Sequence, residues 1–212
     1  MLKVWLPVLA VIASVQAAEI SDPRVLVDAT IETLRENVHR DQALIEGDPE
    51  YAMQLVEGIL SPFVDLRLTG RLVLGAHWKE ATAAQREAFV DGLRRLLLRV
   101  FALHVSDYQE AEVAYSPTVF KGKNQQRAVV RTEVTREGVP PVAVDYRLYR
   151  SIDGWKVYDV SIFGVSLLKT YQITIQYDLK KHGLDGVIEQ INAKVPLTKA
   201  DSFSPGTASP AG

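Results

Sequence analysis

The side chains best suited to metal ligation or proton transfer are His39, His77, His104 and His182, and no two stand at a metal-ligand interval. The HExxH pattern and the Asp-rich calcium loop are both missing. With no cysteine in the chain, thiol nucleophiles, disulfides and cysteine–zinc sites drop out together. Ser166 follows Gly164-Val165 but lacks the second glycine of a nucleophile elbow. It reads as a helix N-terminal serine accepting backbone N–H bonds. Asp145 and Asp159 fall in strand-like segments and have the chemistry of pocket general bases. Pairing with a neighbour such as Arg147 or Lys156 is the simpler expectation. Glycine-rich phosphate loops are also missing, and no catalytic constellation emerges.

What remains is apolar surface edged by aromatics, among them Phe63, Phe101, Tyr146, Tyr158 and Tyr171. Each alone suits an ordinary core position. Together they also suit a cavity rim, because tyrosine joins an apolar body to a polar tip.

The elements that must position these residues run helices, strands, helices. Asp22-Pro23 and Asp48-Pro49 each put a cap before a proline at the first helical position. Val27, Ile31, Leu34 and Val38 follow the first start at helical spacing, and Ala52, Leu55 or Val56, and Ile59 follow the second. Ser61-Pro62 marks the expected start of a short helix carrying Phe63 and Leu66. Thr82-Ala83-Ala84-Gln85 has the form of a capping box. It opens a long helix whose apolar stripe includes Phe89, Leu93, Leu97 and Phe101, with His104 at the core edge. Arg94, Arg95 and Arg99 punctuate that stripe as a solvated face, or as a docking face for an acidic partner.

From about residue 111 the apolar period changes to two. Strands are expected near Val113 to Phe120 and over Arg127 to Thr135, Val142 to Arg150 and Trp155 to Ile162. Glu137-Gly138 and Asp153-Gly154 supply the turns. Helix returns through Leu167, Leu168, Tyr171 and Ile175, and a last helix runs from about Leu184 to Val195. Short connections make an antiparallel meander, so the architecture is α+β, with amphipathic helices covering one face of the sheet.

The 212 residues carry 24 Lys plus Arg against 26 Asp plus Glu, a net charge of -2. That balance argues against nucleic-acid binding through a strong basic field. Hydrophobic residues at 47% indicate a globular chain. Lys3, the apolar run from Val4 to Val15 and the small-residue cleavage site Val15-Gln16-Ala17 form a secretory signal peptide over residues 1–17, cleaved after Ala17. The working domain then spans 18–195, and residues 196–212, rich in Ser, Pro and Gly, form a flexible tail. The expected location is the periplasm.

Two motifs carry a family resemblance. Leu74-Gly75-x-x-Trp78-x-x-Ala81-Thr82-x-x-Gln85-Arg86-x-x-Phe89 is one. Trp155-Lys156-Val157-Tyr158-Asp159-Val160, followed by Gly164-Val165-Ser166-Leu167-Leu168 and Tyr171, is the other. Both resemble signatures of the MlaC, or toluene-tolerance auxiliary, family. One departure is that Gln172 follows Tyr171, where the family commonly has arginine. The resemblance implies an NTF2-like curved antiparallel sheet packed with several helices around a deep apolar cavity. It implies no enzyme and no cofactor, with phospholipid as cargo. The partners it implies are a glycerophospholipid, an inner-membrane MCE-domain ABC transporter complex and an outer-membrane lipoprotein–porin complex.

On that basis the strand-side lining is expected from Val130, Val142, Val144, Tyr146 and Leu148. The helix-side lining is expected from Phe63, Leu93, Leu97, Phe101, Leu167 and Leu168. Two alternatives stand beside the carrier. One is an NTF2-like enzyme acting on a hydrophobic small molecule, with Asp145 as its acid or base. The other is a periplasmic scaffold with a filled core.

Overall fold

The computed structural model describes residues 22–105 and 111–193. The expected signal peptide with its cleavage after Ala17, and the 196–212 tail, lie outside the described residues, as does the side chain of His104. Six helices come first: α1 (Pro23–Arg40), α2 (Gln42–Gly47), α3 (Pro49–Leu60), α4 (Leu66–Leu74), α5 (His77–Glu80) and α6 (Ala83–His104). The strands follow as β1 (Glu112–Tyr115), β2 (Val119–Lys121), β3 (Arg127–Arg136), β4 (Val139–Ser151), β5 (Gly154–Ile162) and β6 (Val165–Ser166). Last comes α7 (Leu167–Ala193), broken at Gly183 where φ reaches 65°.

The start signals act as the residue types require. Asp22 Oδ1 accepts from the Arg24 N–H at 2.8 Å, and Asp48 Oδ1 accepts from Glu50 at 2.9 Å and Tyr51 at 3.1 Å. At α6 the Gln85 N–H donates to Thr82 Oγ1 at 3.2 Å, and the Thr82 N–H donates back to Gln85 Oε1 at 3.0 Å. The helix expected from Ser61-Pro62 starts later, at Leu66, because Asp65 supplies its cap through the Leu68 N–H at 2.8 Å. Phe63 to Asp65 instead run alongside β5. The Val157 N–H donates to the Phe63 carbonyl at 2.8 Å, and the Asp65 N–H to the Val157 carbonyl at 2.9 Å.

The sheet is antiparallel and curved, in the order β1-β3-β4-β5-β6, with β2 also on β3. The single strand expected from Val113 to Phe120 is two short ones, β1 opposite residues 132–135 and β2 opposite residues 127–129. On β5, Val157 pairs with Leu148 and Asp159 with Arg147, so Tyr158 is an extra residue in a bulge. A bulge bends its strand and redirects side chains.

Three apolar clusters form the core. Val73, Leu74, Phe89, Leu93 and Ile175 join α4, α6 and α7. Leu26 and Val27 of α1 pack on Val130, Leu148 and Trp155 of the sheet. Leu34, Val38, Ile45, Val56 and Val105 tie α1 to α2, α3 and the end of α6.

Two helical glycines differ sharply in surroundings. A Cβ on Gly92 of α6 would lie 2.8 Å from Ile191 Cγ2 and 2.9 Å from Asn192 Oδ1, whereas a Cβ on Gly58 of α3 meets nothing within 4 Å. Alanine gains about 1 kcal/mol over glycine inside a helix. Overpacking against a branched buried side chain costs about 1–3 kcal/mol. Thermal denaturation is therefore expected to show Gly58→Ala raising Tm and Gly92→Ala lowering it.

Candidate functional site

Between the three clusters lies a cavity with a free volume of about 1070 Å3, its open mouth included. Leu26, Val27, Thr30, Ile31 and Leu34 of α1 form one wall. Leu93, Leu97 and Phe101 of α6 form another, and Leu167, Leu168 and Tyr171 of α7 a third. The end of α3 and α4 close it through Leu60, Phe63, Val64, Leu66, Thr69 and Val73. The sheet adds Tyr146 and, around the bulge, Val157, Tyr158, Asp159 and Val160.

Thr30, Thr69 and Asp159 on this surface are occupied. Thr30 Oγ1 donates to the Leu26 carbonyl at 2.7 Å. Thr69 Oγ1 reaches the Asp65 and Tyr158 carbonyls at 2.9 Å each. Asp159, 3% exposed at its side chain, pairs with Arg147. Its Oδ2 also accepts from the Ser166 hydroxyl at 2.7 Å, and its Oδ1 from the Leu168 N–H at 3.0 Å. Ser166 Oγ in turn accepts from the Lys169 N–H at 3.1 Å, so this serine is the α7 cap its position suggested. Asp145, the other base candidate, is not on the lining. It alternates with Tyr146 and so points to the opposite face of β4, where Arg131 Nε lies 3.8 Å away.

Two carboxylates thus share one geometry. Asp65 caps α4 through the Leu68 N–H and accepts from the Tyr149 hydroxyl. Asp159 caps the start of α7 and accepts from Arg147. Each joins a β4 side chain to the N-terminus of a helix that walls the cavity, where the helix dipole favours negative charge. The Asp65 bond, and burial after it, pushes the Tyr149 phenol up from 10.0 to about 12. Burial also raises the Tyr171 and Tyr115 phenols.

Of the eleven expected lining residues, Phe63, Leu93, Leu97, Phe101, Tyr146, Leu167 and Leu168 border the cavity. Val130, Val142, Val144 and Leu148 do not. Val130 and Leu148 share the face of Tyr146, but both are fully buried in one cluster with Leu26, Val27 and Trp155. Val144 is buried opposite Thr132, and Val142 lies half-buried opposite Val134 near the β3–β4 irregularity. Unanticipated were the α1 wall and the β5 contribution. The α1 periodicity was legible in Val27, Ile31 and Leu34, whereas the bulge at Tyr158 breaks the alternation that would have marked β5. Of the candidate docking arginines, Arg94 binds Glu57 at 2.8 Å and Asp91 at 2.6 Å, and Arg95 binds Asn192 at 2.6 Å. Among the described residues no group of three His, Cys, Asp or Glu side chains could hold a metal ion. Nor is any described helix long and apolar enough to cross a membrane.

Helices standing on a curved antiparallel sheet around an open apolar space define an α+β cavity protein. The chain belongs to the MlaC family: the family model for MlaC protein matches residues 28–193. It is similar to the intermembrane phospholipid transport system binding protein MlaC of Haemophilus influenzae, at 26% identity over 90% of this chain and 92% of that one. The toluene tolerance protein ttg2D of Pseudomonas putida is 21% identical over 77% of this chain and 75% of its own. A solved phospholipid-binding protein from Ralstonia solanacearum, in complex with a phospholipid, superimposes with a TM-score of 0.75 at 30% identity. That match covers 81% of this chain and 96% of the other.

Removing the Asp159 carboxylate strands the Arg147 guanidinium and takes one of the two capping bonds from the start of α7. Asp159→Ala is expected to lower stability by about 3 kcal/mol in urea unfolding. For Tyr149 the raised value means that the unfolded chain releases its phenolic proton first. The stability it adds is complete below pH 10 and is lost as pH rises toward about 12. Tyr149→Phe should flatten the fall of Tm with pH across that window, and an unchanged slope would place the alkaline sensitivity elsewhere.

Proposed function

We propose that this protein is a soluble phospholipid carrier, enclosing acyl chains in the apolar cavity and leaving the headgroup toward water. The observation that carries the reading is the cavity itself. Its free space, about 1070 Å3 with the open mouth included, is bounded by aliphatic and aromatic side chains from five helices and two strands, and its one carboxylate is already committed to Arg147, Ser166 and a helix end. The names of the relatives, one an intermembrane phospholipid transport binding protein and one a phospholipid complex, support the same cargo.

Two 16-carbon chains bring roughly 28 methylenes, and shielding them from water is worth about 22 kcal/mol gross. A carrier moving through water must cover almost all of that surface. A bilayer offers nearly the same environment, so transfer between membrane and cavity is close to balanced. Direction must then come from docking partners at the two ends. In this reading they are an inner-membrane MCE-domain ABC transporter complex and an outer-membrane lipoprotein–porin complex. Residues 1–17 direct export, residues 18–195 work in the periplasm between the two membranes, and 196–212 form a tail.

The reading includes no chemistry on the cargo and no cofactor. An enzyme on this fold would need a free acid or base facing the cavity, and Asp145 points away from it. A scaffold would have closed the space between the three clusters.

Native mass spectrometry on protein purified without detergent, followed by lipid extraction, is expected to find stoichiometric glycerophospholipid. Protein at its bare mass, still bare after incubation with liposomes, would sink the proposal. Leu97→Trp, which fills the space from the α6 wall, should retain the fold and lose most of the lipid. Val144→Ala, buried outside the lining, should keep the lipid while losing about 2 kcal/mol of stability.

A further inference from the structure

The N-terminal part of α7, from Leu167 to the break at Gly183, has two working faces. Leu167, Leu168 and Tyr171 face the cavity, while Ile175 and Leu179 enter the core. The face turned to solvent includes Lys169, Ile173, Tyr177, Lys180 and Lys181, with the exposed Thr170 and Thr174 beside them. Residues 169, 173, 177 and 180/181 follow one another at helical intervals and form a single ridge. Ile173 is 73% exposed and Tyr177 58%. Lys181 Nζ lies 4.2 Å from the centre of the Tyr177 ring. The ridge carries three lysines and no carboxylate, in a chain whose net charge is -2. Asp178 is one residue on from Tyr177, about 100° round the helix and off the ridge.

A second exposed feature stands at the head of the same helix. Ile162 pairs with Val165, so Phe163-Gly164 is a two-residue turn with φ of 51° and 78°. Positive φ suits glycine but is costly for phenylalanine. The strained Phe163 is 52% exposed and Val165 44%, so packing within the fold does not explain the choice. Four large apolar side chains thus stand in water along one stretch of chain whose other side walls the cavity.

We propose that this ridge docks the protein on an anionic phospholipid surface, with Ile173, Tyr177 and the Phe163 turn entering the headgroup layer and the three lysines meeting lipid phosphates. Aliphatic and aromatic side chains standing proud between lysines are the pattern of interfacial helices. Each lysine near an anionic leaflet adds attraction that fades within a Debye length. The charge complementarity and the protruding apolar groups favour a bilayer over an acidic protein, whose docking needs a packed, complementary patch. The inference rests on the carrier reading. It adds that a helix walling the cavity is also the one that meets the membrane.

The test is flotation of the purified protein with vesicles of phosphatidylglycerol and phosphatidylcholine, and with vesicles of phosphatidylcholine alone. Binding should favour the anionic vesicles roughly tenfold or more and weaken as salt rises. The double variant Ile173→Glu, Tyr177→Glu changes only exposed positions. It should lose flotation while native mass spectrometry still finds its bound phospholipid. Wild-type protein that carries phospholipid yet ignores both vesicles overturns this docking surface and leaves the carrier reading intact. So does a double variant that floats as well as the wild type, or capture only by protein-containing membranes. Protein that floats but holds no lipid keeps the surface and removes the carrier.

Discussion

Asp65 and Asp159 hold the architecture open. A space bounded by leucine, valine and phenylalanine on all sides tends to close, since every wall gains contact by moving inward. Here the wall helices α4 and α7 are fixed at their N-termini by carboxylates that also grip β4 through Tyr149 and Arg147. The helix ends are thus set by hydrogen bonds of defined length and direction rather than by non-directional apolar contact. Further along, Gln176 Nε2 donates to the Val73 and Leu74 carbonyls at 3.1 and 3.0 Å, and Gln172 Nε2 to Leu72 at 3.1 Å. These bonds satisfy the free C-terminal carbonyls of α4 and lock it to α7 at a fixed spacing.

The three apolar clusters follow from that constraint. Each is well filled, with Phe89, Leu93, Val38, Val56, Val130 and Leu148 at 5% exposure or below. Each also contributes to the cavity wall: Leu93 and Val73 from the first, Leu26 and Val27 from the second, Leu34 from the third. Stability is concentrated where the clusters pack, and the unfilled space is confined to their junction. That division lets a protein keep a stable fold without the cohesion of one continuous core.

A cavity of this kind is suited to cargo that resembles its own lining. Thr30, Thr69 and Asp159 beside the space are satisfied by the fold itself, so they place little demand on the ligand. In the carrier reading, recognition depends on volume and apolarity, and any choice between membranes or partners falls to the outer surface. The same helix α7 serves both sides, with leucines inward and a lysine-flanked apolar ridge outward.

How much of this was legible in the sequence depended on whether a signal is local. Caps are local, so Asp22, Asp48 and the Thr82–Gln85 box marked their helices, and Ser166 was read as a helix start. Strand alternation and glycine turns are local too, and they placed β3, β4 and β5 closely. The Phe63–Asp65 segment misled because Pro62 suggests a helix start, while its hydrogen bonds go to Val157, more than ninety positions away. The cavity is non-local in the same way. Val130 and Leu148 have the residue type and the sheet face of a lining position, and only the arrival of α1 with Leu26 and Val27 buries them instead. Tyr158 and Val160 reach the space because a bulge shifts their phase, which alternation cannot reveal. The sequence by itself determined which residues are apolar and where elements begin. The tertiary structure decided which apolar residues touch one another and which face the unfilled space, because that depends on how helices distant in the chain are held on the sheet.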